Sequence, residues 1–522
     1  MNAVLIALLA LPLLGALATL VPGLVPDDGR ALRLGAAVTA ADLALAIALA
    51  AGFDYGHADR MQAGTDLDWI PALGVRLHLG ADGVSLPLLL LTALLTFLCA
   101  LYSLRSLPSG PGRPGPRAWT GLLLLLECGM LSTFAALDLI LFFLAFEIVL
   151  VPMYFMIQRW GGAGSGRAAF RFVLYTMLGS ALMLLGFLLL GLKSGTFDIT
   201  QLAARHGDGL SHTTQLLAVL SIGLGLAVKA PMFPLHSWLP DAHTAAPTAG
   251  SVLLAGVLLK MGTYGFVRIL LPAAPDGMAT FAPYLAAFAV VGIVYGSLAC
   301  LALARPGARG DLKRLIAFSS VGHMGFVLLG IATLTATGVN GALYGNIGHG
   351  LITGLLFFLV GAVKDRYGTS DLDSLAGRTG AALYGRMPRL GALLAFAAVA
   401  SLGLPGLAGF WGELLAMLGS FHPAAGLSRP AFLVFMALAG LGTLLTAAYL
   451  LSVVRRVCMG DPGAASAEGR APARARDLLD VRPYEFASWT PLVALTVLAG
   501  LWPAAILGLT DPAVHTLLGA GR

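Results

Sequence analysis

Two lysines lie in apolar stretches of the chain, where a charged side chain is costly to bury. Lys229 and Lys260 belong to the segment LAVKAPMFPLHSWLPDAHTAAPTAGSVLLAGVLLKMG, residues 226–262. Prolines interrupt the backbone between the two lysines at positions 231, 234, 240 and 247. Irregular backbone at membrane depth is tolerated only where it is buried in protein or lines a cavity. The segment therefore predicts a device that handles charge inside a membrane.

The composition supports a membrane location. Of the 522 residues, 58% are hydrophobic and only 11% are charged, whereas a soluble domain carries about 25% charged residues. The net charge of +6 does not indicate nucleic-acid binding, because the basic residues lie in short loops between apolar stretches. The four cysteines are far apart and lack the spacing of a metal site, so no metal or disulfide is predicted.

The fold class predicted is an all-α integral membrane protein. Because a spanning helix needs about 20 mostly apolar residues, the sequence predicts about 14 spans. They lie near residues 3–22, 31–52, 83–105, 117–136, 138–158, 168–192, 213–238, 247–271, 280–304, 312–334, 338–363, 388–418, 431–456 and 486–510. Residues 53–82 form a polar loop, and residues 193–212 are expected to lie at the membrane interface.

The spans predict four parts of the chain. Residues 1–116 hold helices 1–3 and the polar extracytoplasmic loop, and residues 457–522 hold a cytoplasmic loop and helix 14. Residues 117–271 (helices 4–8) and 280–456 (helices 9–13) form two units. The seventh span is interrupted at AVKAPMFP and the twelfth at SLGLPGLAGF. Two broken helices five spans apart indicate an inverted repeat, as in many transporters.

The distribution of cations predicts the orientation. One set of loops carries about 23 lysines and arginines against 7 in the opposite set, and the richer side is expected to be cytoplasmic. Both termini are then extracytoplasmic. Only Lys229 and Lys260 remain without a loop. The Ala- and Arg-rich composition favours a multi-pass protein of a bacterial plasma (inner) membrane.

Several ionisable residues are predicted to lie within spans, each at a cost of roughly 2.5–3.5 kcal/mol for Lys, Asp or Arg. They are Glu127, Glu147, Lys229, Lys260, His323, His349 and Glu413, with Asp42 and Asp138 at the borders. One interpretation is buried ion pairs that only fix helix packing. The number of such sites on separate helices, without tight local salt-bridge spacing, favours a functional role instead.

Lys229 is the predicted centre of the site, and Glu147 is its predicted partner. A desolvated ammonium gives up its proton more readily, whereas a nearby carboxylate favours the charged form. Moving the pair together or apart would therefore raise or lower the proton affinity of Lys229. The backbone break at Pro231 would let water reach it.

The other candidates continue this path. Lys260 is the predicted next carrier, followed by His323 and His349, whose imidazoles can accept a proton on one nitrogen and donate from the other. Glu413 is the predicted terminal acid. Glu127 either extends the path or pairs locally.

Three further polar residues follow the first break. His236, Asp241 and His243 are expected in a loop near the cytoplasmic surface. They either help protons to enter or belong to a solvated loop without a role.

Four stretches resemble one known family. They are LAFEIVLVPMYF (144–155), VKAPMFPLHSWLPDAHTAAPTAGSVLLAGVLLKMGTYG (228–265), DLKRLIAFSSVGHMGF (311–326) and LPGLAGFWGE (404–413). They are similar to the antiporter-like membrane subunits of respiratory complex I, NADH:quinone oxidoreductase. LVPMYF and the Glu at position 413 favour the M type, called chain 4 in mitochondria.

The resemblance implies a translocase subunit that moves protons, driven by quinone reduction in other subunits. By this resemblance, essential charged positions of the family correspond to Glu147, Lys229, Lys260 and Glu413. The relay histidines of the family correspond to His323 and His349. The resemblance also implies 14 helices with inverted five-helix repeats at spans 4–8 and 9–13.

The resemblance further implies that this chain holds no redox centre, cofactor or metal, and that NADH, FMN, Fe–S clusters and quinone belong to partner subunits. Those partners would be L-type and N-type antiporter-like neighbours and small membrane subunits, within the lipid bilayer and without nucleic acid.

Other membrane protein complexes contain subunits with the same lysine-bearing segment. A subunit of an Mrp-type Na⁺/H⁺ antiporter is the main alternative, and a related membrane-bound hydrogenase is another. A membrane scaffold with vestigial charges is disfavoured, because the full set of charged residues is present.

Overall fold

The computed structural model describes residues 1–519 apart from positions 22, 24, 26 and 111 and the segments 377–380 and 460–479. Much of the predicted cytoplasmic loop in 457–522 therefore lies outside the described residues.

Helices and one two-stranded sheet make up the described chain. The first half contains α1 (Asn2–Leu20), α2 (Asp28–Ala51), β1 (Gln62–Ile70), β2 (Val75–Ala81), α3 (Leu86–Ser106), α4 (Pro116–Ala135), α5 (Leu139–Ile148), α6 (Leu150–Trp160), α7 (Ser165–Ser194), α8 (Ile199–Arg205), α9 (His212–Lys229) and α10 (Trp238–Ala245). The second half contains α11 (Thr248–Ala273), α12 (Pro275–Leu303), α13 (Leu312–Ala332), α14 (Ala336–Tyr367), α15 (Leu372–Leu375), α16 (Leu383–Arg386), α17 (Pro388–Ser401), α18 (Ala408–Phe421), α19 (Arg429–Cys458), α20 (Pro483–Leu501) and α21 (Ala504–Leu517).

The prediction of a helical membrane protein is confirmed. In the described part of the chain, 13 helices are long and apolar enough to cross a membrane, with α5 and α6 counted as one. The predicted twelfth span, 388–418, consists of two shorter helices, α17 and α18, of 14 residues each. The predicted fourteenth span, 486–510, has wrong bounds: α20 ends at Leu501, because Pro503 disfavours helical backbone at Trp502.

The predicted polar loop at 53–82 contains an antiparallel hairpin. Strands β1 and β2 pair from Gln62 with Ala81 to Ile70 with Val75. Gly74 closes the turn between the strands with φ 66°, a left-handed backbone conformation that glycine adopts without strain. The alternation of apolar and polar residues in GVRLHLGA (74–81) was the sequence signal for a strand.

The hairpin is joined to the loop before α8 by an ion pair. His78 on β2 hydrogen-bonds through Nδ1 to Asp198 Oδ2 at 2.7 Å. This hydrogen bond raises the pKa of His78. Burial opposes ionisation of Asp198, but the hydrogen bonds from His78, Thr200 and the backbone of Gln201 outweigh it and lower the pKa of Asp198 to about 2.

Two central helices lie wholly inside the bundle. An apolar stretch of 18 residues in each of α11 and α14 is completely buried. Helix α11 also contains two five-residue π-helical segments, Leu254–Leu258 and Phe266–Leu270, on either side of Lys260. Such widened turns leave carbonyl groups available to side chains and often occur at functional sites.

The prediction that Lys229 and Lys260 are the only cations outside the loops is wrong. Arg268 is buried and forms an ion pair with Asp82. Lys313 is also buried and donates to the Ala246 carbonyl at 2.8 Å.

Arg366 is a further buried cation. It forms a bidentate ion pair with Glu485, with nitrogen–oxygen distances of 2.8 and 2.6 Å. A span predicted from hydropathy is taken to end where charged residues begin, so these cations were assigned to loops. Partners inside the bundle instead stabilise Arg268, Lys313 and Arg366 in buried positions.

The His78–Asp198 pair predicts pH-dependent stability of the hairpin. Because the pKa of His78 is raised on folding, the stabilisation is present below the ordinary His value of about 6.5 and is lost as pH rises through the raised pKa. The pKa of Asp198 is lowered, so the stabilisation is lost at the acid end only as pH falls from about 4 toward about 2.

Hydrogen exchange of residues 75–81, corrected for intrinsic rates, should therefore show less protection at pH 8.5 than at pH 5.5 in the wild type. The His78→Gln variant should lose this dependence, whereas His57→Gln, at an exposed histidine of the same loop, should retain it. Equal protection of the wild type at both pH values would contradict the assignment.

Candidate proton-relay site

The first broken helix ends at a buried lysine. Helix α9 ends at Lys229 because Pro231 and Pro234 follow, and proline cannot continue the backbone hydrogen bonding of a helix. The lysine is 1% exposed. Among the described residues its Nζ has no hydrogen-bond partner. It lies 4.6 Å from the centre of the Phe146 ring, a cation–π distance.

Glu147, the predicted partner of Lys229, lies at the same end of the site. It is in the last turn of α5, directly after Phe146, and is near enough to Lys229 for electrostatic interaction. Its carboxyl group also lies near Ser180 on α7. No direct ion pair with Lys229 occurs among the described residues. The two groups are therefore coupled through space.

The helices of the two lysines are in close contact. A Cβ atom at Gly262 of α11 would lie 2.7 Å from the Leu226 carbonyl oxygen and 2.8 Å from the Ala230 nitrogen of the α9 end. Only glycine allows this approach. It places the turn that follows Lys260 against the break that follows Lys229.

Lys260 is held by two contacts. Its Nζ donates to the carbonyl of Ala255, which belongs to the first π-helical segment. The same atom lies 2.6 Å from Nδ1 of His349 on α14. When Lys260 is protonated it donates to Nδ1, so a neutral His349 then carries its proton on Nε2. Lysine and histidine are thus placed for direct proton exchange.

A second histidine joins this pair to Glu413. The rings of His323 and His349 are 5.7 Å apart. Nδ1 of His323 lies 3.0 Å from Glu413 Oε1, and its Nε2 lies 2.9 Å from Ser401 Oγ. The predicted carriers Lys260, His349, His323 and Glu413 therefore lie in one series.

A small cavity lies between the two histidines. Its volume is about 30 Å³, and its polar lining residues are His323, His349, Thr353, Ser401 and Glu413. A water molecule needs roughly 10–15 Å³ of such volume and two to four polar partners. The cavity is large and polar enough for water to connect the imidazole of His349 with that of His323.

The second broken helix positions the far end of this series. Helix α17 ends at Ser401, and Gly403 and Gly406 adopt φ values of 73° and 91° before α18 begins. A Cβ atom at Gly403 would lie 3.2 Å from Glu413 Oε2. Thr443 donates to the same carboxylate oxygen at 3.2 Å. The break therefore presents both Ser401 and Glu413 to His323.

Glu127 lies apart from this series. It is completely buried on α4 and faces Asp42 of α2, which is also completely buried. Each carboxyl group affects the other electrostatically, and the two are within hydrogen-bonding reach of each other when one of them is protonated. The structure places Glu127 beside Asp42 and away from this series, and its role stays a prediction.

The residues after the first break are not in an open loop. His243 is completely buried in α10 and its ring stacks on Phe357 at 4.5 Å. His236 is 5% exposed. Asp241 forms ion pairs with Arg171 and Arg314 at 2.6 and 3.1 Å. The expectation of a solvated loop was wrong, because α10 folds back against the bundle.

Sequence reasoning missed Ser401 as a site residue. A serine in an apolar span usually bonds to its own helix, so its type carries no signal. The signal available was its position at the start of the second break, SLGLPGLAGF. Thr263 and Asn346 were also missed. They join the helices of Lys260 and His349 by a 3.0 Å hydrogen bond.

Known proteins are similar to this chain over most of its length. A model of the family described as "NADH:quinone oxidoreductase/Mrp antiporter, TM" matches residues 136–442. NADH-quinone oxidoreductase subunit M of Rhodobacter capsulatus is 38% identical over 501 residues, which cover 94% of this chain and 91% of the relative.

Solved structures show the same fold. A chain of respiratory complex I from Thermus thermophilus superposes with a TM-score of 0.82 and 30% identity, covering 99% of both chains. A chain of the Mrp complex from Dietzia sp. DQ12-45-1b has a TM-score of 0.79 and 24% identity, covering 100% of this chain and 52% of that one. The chain therefore belongs to the NADH:quinone oxidoreductase/Mrp antiporter family of transmembrane proteins.

Proposed function

We propose that this chain is a proton-translocating membrane subunit of an NADH:quinone oxidoreductase. The observation that carries the proposal is the buried series from Lys260 through His349 and His323 to Glu413, with contacts of 2.6 and 3.0 Å at its ends. The subunit M relative and the complex I structure support this host. Quinone reduction elsewhere in the complex would drive the transfer.

The charge at Lys229 controls entry into the series. With Glu147 close, the ammonium form of Lys229 is stabilised, and with Glu147 moved away it is destabilised in its apolar site. Because Nζ of Lys229 has no hydrogen-bond partner among the described residues, its charge depends on that carboxylate. A small movement of α5 against α9 would therefore release a proton toward Lys260.

Proton transfer along the series is balanced at each step. Lys260 gives a proton to Nδ1 of His349, and His349 releases the proton on Nε2 into the cavity. A proton delivered to Nε2 of His323, where Ser401 is hydrogen-bonded, allows Nδ1 to release one to Glu413. Each imidazole thus passes on one proton without keeping a net charge.

We also propose that the predicted spans 4–8 (residues 117–271) and 9–13 (residues 280–456) form inverted repeats. Isolated antiparallel bridges join Asp138 to Asp198 and Asp311 to Asp371, two pairs with the same separation in sequence. The first bridge is on the side of the hairpin, and the second is among the loops of the opposite side. The helix ends at Lys229 and Ser401 follow these pairs at intervals equal to within one residue.

The host complex supplies the redox chemistry. We infer that NADH, FMN, Fe–S clusters and quinone bind in partner subunits, which include L-type and N-type neighbours, in a bacterial inner membrane with both termini extracytoplasmic. Purification of the native complex with identification of its subunits tests this. Fe–S and quinone-site subunits support the proposal, whereas the small partners of an Mrp antiporter would overturn it.

Replacing Lys229 by alanine should stop the relay while the complex still assembles. Quinone reduction and proton pumping should fall together by on the order of tenfold or more, as for loss of a positioned proton-transfer group. The matched control is Lys193→Ala, at an exposed lysine at the end of α7. Both rates are measured on purified complex in proteoliposomes, with assembly checked by native gel electrophoresis.

A Lys229→Ala complex with wild-type rate and wild-type proton-to-electron ratio would contradict the role of Lys229. A similar loss in Lys193→Ala would show that the effect is not specific to the buried site.

Replacing Ser401 by alanine should slow pumping without abolishing it. The change removes one hydrogen bond to His323, whose net contribution is about 1 kcal/mol, so the pumping rate should fall by about fivefold. Ser420→Ala is the matched control, because that buried hydroxyl donates to the Ala416 carbonyl of its own helix. Equal pumping rates in the two variants would remove Ser401 from the relay.

A further inference from the structure

A groove opens on the arginine-rich side of the bundle, between α1, α4 and α6. Its volume is about 950 Å³. Its depth is lined mainly by apolar side chains: Leu13, Leu17, Leu20, Leu122, Leu125 and Phe155. Leu14, Leu17 and Leu20 of α1 are 49–74% exposed. The groove thus presents a long apolar surface that the described chain leaves uncovered.

Three arginines line one end of this groove. They are Arg113 in the loop before α4, Arg117 in its first turn and Arg159 in the last turn of α6. Arg113 and Arg117 each donate one hydrogen bond to a backbone carbonyl, of Gly161 and Val21, at 3.3 Å.

The charged residues that line this end of the groove are all positive. Nε of Arg117 is buried without a hydrogen-bond partner among the described residues. No acidic residue lies among the described lining residues. The start of α4 adds the positive end of a helix dipole, which the Asp28 carboxylate beside Gly115 offsets in part. The end of the groove therefore favours an anionic group.

The dimensions of the groove match one leaflet of a bilayer. From Arg117 to Leu125 the eight-residue rise of α4 is about 12 Å. The hydrocarbon core of a bilayer is about 30 Å thick, so one leaflet contributes about 15 Å. The arginines then lie at the depth of the phosphate groups, and the leucines lie at the depth of the acyl chains.

We propose that this groove binds an anionic phospholipid. The phosphate is held by Arg113, Arg117 and Arg159, and the acyl chains lie along the leucines of α1 and α4. Guanidinium groups bind phosphate oxygens through paired, charge-assisted hydrogen bonds. An apolar helix of a partner protein fits less well, because it would cover three cations without supplying a counter-charge.

The proposal is tested on the purified parent complex in nanodiscs. The probe is phosphatidylglycerol with a photoactivatable group on an acyl chain, compared with phosphatidylcholine that has the same chains and the same group. Cross-linked peptides are identified by mass spectrometry. Phosphatidylglycerol should label peptides containing residues 13–20 and 117–125 more strongly than phosphatidylcholine.

Variants locate the headgroup site. Arg117→Gln should lower labelling by phosphatidylglycerol by about fivefold, the effect of one cation near an anionic lipid surface, and Gln at all three positions should lower it further. Arg167→Gln is the matched control, because Arg167 is exposed on the same side at the start of α7 and does not line the groove.

Three results would overturn the proposal. They are equal labelling by the two lipids, unchanged labelling in the triple variant, and capture of a partner polypeptide by a photoreactive amino acid at Leu17. If the triple variant does not assemble, the comparison of the two lipids on the wild type still decides.

Discussion

The amine of Lys260 lies in the interior of a helical bundle, and the rest of the site depends on which groups contact it. An uncompensated charge at membrane depth costs several kcal/mol, and the hydrogen bonds of ordinary helices leave no backbone group to offset it. Here a π-helical turn supplies the Ala255 carbonyl and α14 supplies Nδ1 of His349. The contact that stabilises the charge is also the contact that can pass its proton on.

The two broken helices differ in the polar contacts that they provide. At Lys229 the break leaves the amine without a hydrogen bond among the described residues, beside the Phe146 ring and within electrostatic reach of Glu147. At Ser401 the break supplies both a hydroxyl and a carboxylate to His323. The arrangement at Lys229 suits a change of charge, whereas the arrangement at Ser401 suits the transfer of a proton. The close contact of α11 with the end of α9 at Gly262 keeps the two parts together.

Much of this arrangement could be predicted from the sequence, because the residues concerned are of the wrong type for their surroundings. Lys229, Lys260 and Glu413 are ionisable residues in apolar spans, and the prolines at 231 and 234 mark the first break. The order Lys260, His349, His323 and Glu413 was not predicted, because contacts between distant helices leave no periodic pattern.

Other features gave no signal, or a misleading one. The π-helical segments on either side of Lys260 occur in sequence that suits an ordinary helix. Ser401 resembles any serine that bonds to its own helix, as Ser420 does. Arg268 and Arg366 resembled loop cations because they lie near span ends, and only their partners Asp82 and Glu485 explain their burial.

We propose that protons cross the membrane by way of the contact between Lys260 and His349. The most direct measurement is the rate of proton pumping, together with the rate of quinone reduction, by proteoliposomes of a His349→Phe complex, which keeps an aromatic ring but loses both nitrogens. His422→Phe, at an exposed histidine, is the matched control. Both rates should fall together for His349→Phe and stay unchanged for the control. A His349→Phe complex that pumps protons and reduces quinone at the wild-type rates would contradict this path.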